Sequence, residues 1–379
     1  MLYLAEDEPF EMHIFPLTVC AGRSADDMEP FHDLDRWADI EQEMVREGIP
    51  LPLEHRASWI RDISDSQYRF FVVRDEGSGS LGAATAVRRN ETRTLPGHYY
   101  ARATRFGHGQ NTESLTSLLA SLRAWVGHDP RLLGVRVEIF EGDDERREAL
   151  DAAAADLGYA RASDPRRYAR TARVDLAPTE EELLASFSAS CRRFIRDPAK
   201  KGYRVEPVTD ERWASRMHEL FVETFARTGG GMRPPDWSRL IAYANEHPDL
   251  FRIVGTFGPD YPDESSLVAF ASARNNGDHA EYADSASTRR LGTTVAVHYA
   301  PMWELMRWAK SCGCAWFDLG GITGGTQGSD DPVGGISDFK RRFQGREIDV
   351  GHEWTFEPTT VRTRLAEGVR AVAALARRG

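Results

Sequence analysis

One order of elements is written twice along this chain, and it limits the available folds more than any single motif does. In the first half, apolar alternation marks strands at Tyr68 to Arg74, Leu81 to Arg88 and Tyr99 to Arg105. A helix capped by Asn111 follows, with Leu115, Leu118, Leu119, Leu122 and Trp125 on one face. A strand at Gly134 to Phe140, an Ala-rich helix from Asp144 to Leu157 and a strand from Tyr168 to Leu176 complete this half. The second half opens with a helix from Thr179, where Glu182 completes a capping box and Pro198 ends the run. After a strand at Tyr203 to Val208 and helices at Ala214 to Ala226 and Trp237 to Asn245, the plan returns. Strands at Phe251 to Phe257, Leu267 to Arg274 and His279 to Ala286 lead into a helix carrying Tyr299, Met302, Trp303, Met306 and Ala309. A strand from Ala315, a short helix and a terminal strand from Ile348 to Phe356 close the chain. The similarity is one of pattern, without a residue-level repeat. A chain of 379 residues is too long for one ordinary core, so two domains are expected, 1–175 and 176–379.

Composition removes several function classes. A net charge of −11 argues against a general nucleic-acid coat, so any RNA contact must use a local patch. The acidic N-terminus does not read as a signal peptide, and no apolar run reaches the length of a membrane span. Four cysteines do not make a disulfide scaffold, and the expected location is cytoplasmic, without integral membrane association. Gly77, Gly79 and Gly82 spell G-x-G-x-x-G, but a second strand follows where a dinucleotide site needs a helix, so a hairpin turn is expected. Cys312 and Cys314 stand too close for the usual zinc spacing and read as buried thiols; no metal is expected.

The stretch from Ala315 to Phe343 carries the chemistry. An apolar strand holding Asp318 runs into a glycine-rich loop, Gly320 to Gly334. A short helix follows, with Ile336, Phe339 and Phe343 on one face and Lys340, Arg341 and Arg342 beside them. A strand, a glycine loop and a helix start beside a cation can receive a negatively charged group. Lys340 reads here as an exposed helix lysine.

Three motifs in order, W-F-D-L-G-G (316 to 321), G-I-S-D-F-K-R-R-F-Q-G (335 to 345) and S-C-R-R-F-I-R-D-P-A-K-K-G-Y-R-V (190 to 205), resemble those of the Fem aminoacyltransferases. The resemblance covers the C-terminal half; the N-terminal half matches by architecture alone, and the coiled-coil arm of some members is absent. It implies an α/β (α+β) chain of two tandem GNAT-like acyltransferase domains with mixed sheets. It also implies transfer of an amino acid from an aminoacyl-tRNA to an amine, on a cell-wall precursor or a small molecule of a secondary pathway. That chemistry needs no ATP site and no further cofactor, because the aminoacyl ester is already activated. The resemblance casts Lys340 as the cation at the ester carbonyl or the 3′-terminal phosphate, with a solvated lysine as the plain alternative. Phe339 would wall the terminal adenosine pocket or fill core. Asp318 would accept the amine proton or, the preferred reading, hold the glycine loop through N–H bonds. Arg192, Arg193, Arg196, Lys200 and Lys201 form a dense basic run suited to tRNA or substrate phosphates. Arg227 and Arg233 flank a Gly-Gly-Gly loop and would bind an acidic acceptor.

Two other classes stay open. Arg289-Arg290-Leu291-Gly292-Thr293-Thr294 faintly resembles the pyrophosphate loop of GNAT enzymes, so an acyl-CoA-dependent N-acyltransferase using acetyl-CoA is the alternative enzyme. A tandem fold without catalysis would be a binding module, which the intact Phe339-Lys340 pair disfavours.

Overall fold

A computed structural model of the chain describes residues 30–358 and Gly368, apart from 76, 93–94, 164–167, 229–233, 262, 290–294 and 332–333. Helices α1 (Leu34–Arg46) and α2 (Ala57–Asp62) precede strands β1 (Tyr68–Arg74), β2 (Leu81–Glu91) and β3 (Tyr99–Phe106). Then come α3 (Thr112–His128), β4 (Leu132–Ile139), α4 (Asp144–Asp156), β5 (Ala160–Arg161) and β6 (Arg170–Asp175). The middle of the chain holds α5 (Glu180–Ser186), α6 (Ala189–Lys200), β7 (Arg204–Pro207), α7 (Ala214–Thr228) and α8 (Trp237–Glu246). It continues with β8 (Phe251–Phe257), β9 (Leu267–Asn275), β10 (His279–Ser287), α9 (Tyr299–Ser311) and β11 (Trp316–Gly321). The last elements are α10 (Gly334–Arg341), β12 (Arg346–Asp349) and β13 (Glu353–Phe356).

The strands form two mixed sheets. One runs β1-β2-β3-β4-β13-β5, the other β12-β6-β11-β10-β9-β8-β7. Each contains one parallel pair, β3 with β4 and β10 with β11, and the chain crosses between those strands through α3 and α9. A parallel neighbour demands such a helical crossover. The G-x-G-x-x-G stretch is the expected β1–β2 hairpin, where the Asp75 carboxylate accepts from the backbone N–H of Gly77 and Ser78.

The sheets do not divide where the chain was expected to. β6, from the first half, lies between β12 and β11 of the second sheet. β13, at the C-terminal end, lies between β4 and β5 of the first. Each half thus lends the other a strand at the equivalent position, and the boundary at 175 cuts the chain but not the sheets. The expected terminal strand Ile348 to Phe356 is accordingly two strands in two sheets. Between them Gly351 takes φ 127°, and a Cβ there would sit 2.5 Å from the Ile139 carbonyl oxygen, so only glycine turns this corner.

The helix expected from Thr179 to Pro198 is also two helices. The Thr179–Glu182 capping box starts α5 as expected, but Phe187 is extended and the Ser188 hydroxyl caps α6, accepting from the Cys191 N–H. Pro198 sits inside α6 instead of ending it. Pro301 lies in the first turn of α9, where its missing N–H costs nothing.

Three of the hydrophobic cores fix these layers, besides one that packs α1 and α2 on the first sheet. The first joins α3 and α4 to the first sheet and includes Trp354 of the lent strand. The second places α9, α5 and α6 on one face of the second sheet, and the third places α7 and α8 on the other face with Leu53 and Trp59. The Trp354 indole donates to Asp151 at 2.6 Å. Trp354→Ala should cost about 3–5 kcal/mol in denaturant unfolding. Hydrogen exchange should then accelerate in β4; acceleration confined to β11 would contradict the strand exchange.

Candidate functional site

The parallel contact between β10 and β11 is short. His279, Ala280 and Glu281 pair with Trp316, Phe317 and Asp318, after which β10 continues to Ser287 without a β11 partner. The strands diverge, and two carboxylates, Glu281 and Asp318, stand side by side at the last pair. Charges at that depth need partners. Asp318, fully buried, accepts from the Thr171 hydroxyl, from the Gly320 N–H at 2.7 Å and from the Tyr168 hydroxyl at 3.0 Å. The Tyr168 hydroxyl also lies 3.2 Å from Glu281. Asp318 does hold the start of the glycine loop, and it is one arm of a larger ionic cluster besides.

Lys340 completes that cluster. Its side chain is 6% exposed, which corrects the expectation of a solvated lysine. The helical period puts Lys340 inward, and its Nζ donates to the Gly321 carbonyl at 2.7 Å. Gly320 has φ 76°, and a Cβ there would meet Nζ at 3.3 Å, so the glycine lets the ammonium close onto the strand end. Burial pulls the lysine pKa down to about 8, against the opposing pull of Asp318 and Glu281.

Arg105 closes the cluster from the other sheet. It lies 3.1 Å from Glu281 and 3.5 Å from Asp318, both buried. Arg105, Glu281, Tyr168 and Thr171 escaped the sequence reading. A lone charge inside an apolar strand, as in His279-Ala-Glu-Tyr282, was the available signal.

Phe339 points to a different neighbourhood. Partly buried, it meets Tyr299 at 4.8 Å and Phe343 at 5.5 Å between ring centres, with the His298 ring 6.3 Å away. The His298 Nε2 is 2.7 Å from the Ser287 hydroxyl at the end of β10, and burial pulls its pKa down to about 4, so it is neutral near pH 7. Phe339 therefore lines the region where β10 ends, while Lys340 reaches to where β10 and β11 part.

The basic run divides. Arg192 donates to the Ala185 and Phe187 carbonyls and so ties off the end of α5. Lys201 pairs with Asp197 at 2.9 Å. Arg193, Arg196 and Lys200 are exposed at one-turn spacings on α6. The cap of α6 meets the residue after α10, where the Arg342 carbonyl accepts from the Ser188 N–H, and Phe194 of α6 lies 4.9 Å from Tyr299 of α9. Arg227 is exposed at the end of α7, and its charge acts on His298 and Arg289. Arg233 and residues 290–294 of the pyrophosphate-like loop lie outside the described residues. Cys314 is buried as expected and Cys312 only partly so. Among the described residues, Asp62, Glu246 and His247, on α2 and at the end of α8, bring ligand-type atoms within 4.8 Å of one another. No helix of the described residues is long and apolar enough to cross a membrane.

No protein-family model and no curated protein matches the chain. Solved structures do match in fold. FemX superposes with a TM-score of 0.69 over 89% of this chain and 99% of its own, at 15% identity. The L-PGS structure from Bacillus licheniformis gives 0.53 over 88% and 95%, at 14% identity. A tandem GNAT protein from the clavulanic acid biosynthesis pathway gives 0.50 over 87% and 98%, at 15% identity. The chain therefore has a Fem-like tandem GNAT fold. Removing the tie between α5 and α6 should be felt in stability. Arg192→Ala should lose about 1–2 kcal/mol in chemical denaturation, from carbonyls left unpaired. Arg193→Ala and Arg196→Ala should stay within about 0.5 kcal/mol; equal losses at all three would mean that Arg192 has no special hold.

Proposed function

We propose that this protein is an aminoacyl-tRNA-dependent aminoacyltransferase, forming an amide bond on an amine acceptor. The observation that carries the reading is the buried Lys340 ammonium, held at the divergence of β10 and β11 on the helix that bears the Phe339-Lys340 motif. The fold shared with FemX and the three Fem-like motifs support the same class.

In this reaction the acceptor nitrogen attacks the ester carbonyl carbon, the C–N bond forms, and the carbon–oxygen bond to the ribose breaks. The proton lost by the amine ends on the departing ribose oxygen. Negative charge grows on the carbonyl oxygen on the way, and a fixed cation lowers the barrier most where that charge is largest. Lys340 supplies the cation, and Asp318 and Glu281 keep it protonated near neutral pH despite its burial. Asp318, already engaged by Thr171, Tyr168 and Gly320, anchors the site and is not its base. Phe339, with Tyr299 and His298 beside it, walls the adenosine of the tRNA end. Arg193, Arg196 and Lys200 contact backbone phosphates, giving a chain of net charge −11 a local grip on a polyanion. The acceptor is a cell-wall precursor amine or a small amine of a secondary pathway, and Arg227 and Arg233 suit an acidic one. No cofactor beyond the charged tRNA is called for, and a cytoplasmic setting follows from that substrate.

An acetyl-CoA-dependent reaction is the competing reading. Incubation of the protein and an amine acceptor with charged tRNA, or with acetyl-CoA instead, separates the two by which donor is consumed. Lys340→Met should fold, because methionine fills the space and Arg105 still faces both carboxylates, while single-turnover rates fall about 100- to 1,000-fold. In the wild type, turnover should decline as pH rises through about 8, where the lysine loses its proton. A rate that climbs through that range would make Lys340 a base. Binding of charged tRNA should weaken steeply with salt, and replacing Arg193, Arg196 and Lys200 by Ala should reduce the log–log slope by about 2–3. An unchanged slope would leave α6 outside the interface.

A further inference from the structure

The ionic cluster around Lys340 is completed from the other sheet. Arg105, next to last in β3, is 3% exposed and takes φ 45°, a conformation that side-chain-bearing residues hold only when their surroundings fix it. Its guanidinium lies 3.1 Å from the Glu281 carboxylate and 3.5 Å from that of Asp318. It is also 2.6 Å from the His279 Nε2 and stacks 3.8 Å over Phe140. Across the sheet-to-sheet seam, the same two carboxylates act on Lys340.

We propose that Arg105 is a positioning residue for Lys340: it fixes Asp318 and Glu281 and offsets their charge, so the working lysine of one sheet depends on an arginine of the other. The inference rests on the reading of Lys340 as the reaction's cation. With Arg105 in place, two cations face two carboxylates. Without it, Lys340 alone faces both, and its proton is held more tightly. An arginine suits the role because its charge does not titrate in the working range. The other groups facing the cluster do not replace it. Tyr168 meets Glu281 through its hydroxyl, and His279 bonds the Asp278 carboxylate at 2.6 Å through Nδ1. His55 and His108, buried near Arg105, have pKa values pulled down to about 4 and about 3 by burial and are uncharged near pH 7.

The chain has just four lysines, Lys200, Lys201, Lys310 and Lys340. Full-length protein labelled with [ε-13C]lysine therefore gives four signals, and the one missing from Lys340→Arg reports the site. Its titration midpoint should rise by about one pH unit or more in Arg105→Met, a tenfold or greater gain in proton affinity. It should fall in Glu281→Gln, which removes a carboxylate. A folded Arg105→Met with an unmoved midpoint overturns the proposal. If Arg105→Met does not fold, an unmoved midpoint in Glu281→Gln overturns it. The high-pH limb of turnover should shift with the NMR midpoint. If the midpoint shifts and that limb does not, the assignment of Lys340 to catalysis fails while the hold of Arg105 on it stands.

Discussion

The contact of Arg105 with Glu281 and Asp318 is the constraint on which the arrangement of the site turns. Burying these groups removes them from water at a cost of several kcal/mol per ion, which is offset only if opposite charges meet in good geometry. Here the partners come from different sheets. Displacing one sheet would leave two carboxylates and a lysine short of a countercharge in a dry environment. The seam around them is consistent with that demand: Arg274 meets Glu54 at 3.0 Å, and the Leu53 N–H donates to Asn276 at 3.0 Å.

Strand exchange serves the same end by another route. Because β6 sits beside β11, it brings Thr171 to Asp318, and the chain just before it brings Tyr168 to both carboxylates. Because β13 sits beside β4, the chain that has left α10 and β12 is tied into the opposite sheet. The segment bearing Lys340 is thereby anchored at both ends, by β11 in one sheet and β13 in the other. A side chain fixed this way loses little further freedom on meeting a substrate, which is what preorganised electrostatic stabilisation needs.

Much of this was legible along the chain. The repeated element order, the hairpin at Gly77 to Gly82, the capping box at Thr179, the glycine loop and the Phe339-Lys340 helix all express local rules, since period, caps and turn residues act within a few positions. The break at Phe187 was not legible, because Leu183, Leu184, Phe187, Cys191 and Phe194 keep an apolar face across it. Arg192 looked like one more cation in a basic run, and only the carbonyls of Ala185 and Phe187 show its use.

The sequence by itself determined the elements, the fold class they imply and the residues that bear charge near the glycine loop, because those depend on neighbours in the chain. The tertiary structure alone decided that Lys340 is buried, that β6 and β13 change places, and that Arg105 reaches Asp318. The reason is physical: Arg105 and Asp318 lie more than two hundred residues apart. Which strand pairs with which, and which charge finds which partner, is settled by competition among all edges and all buried charges at once, and no window of sequence contains that competition.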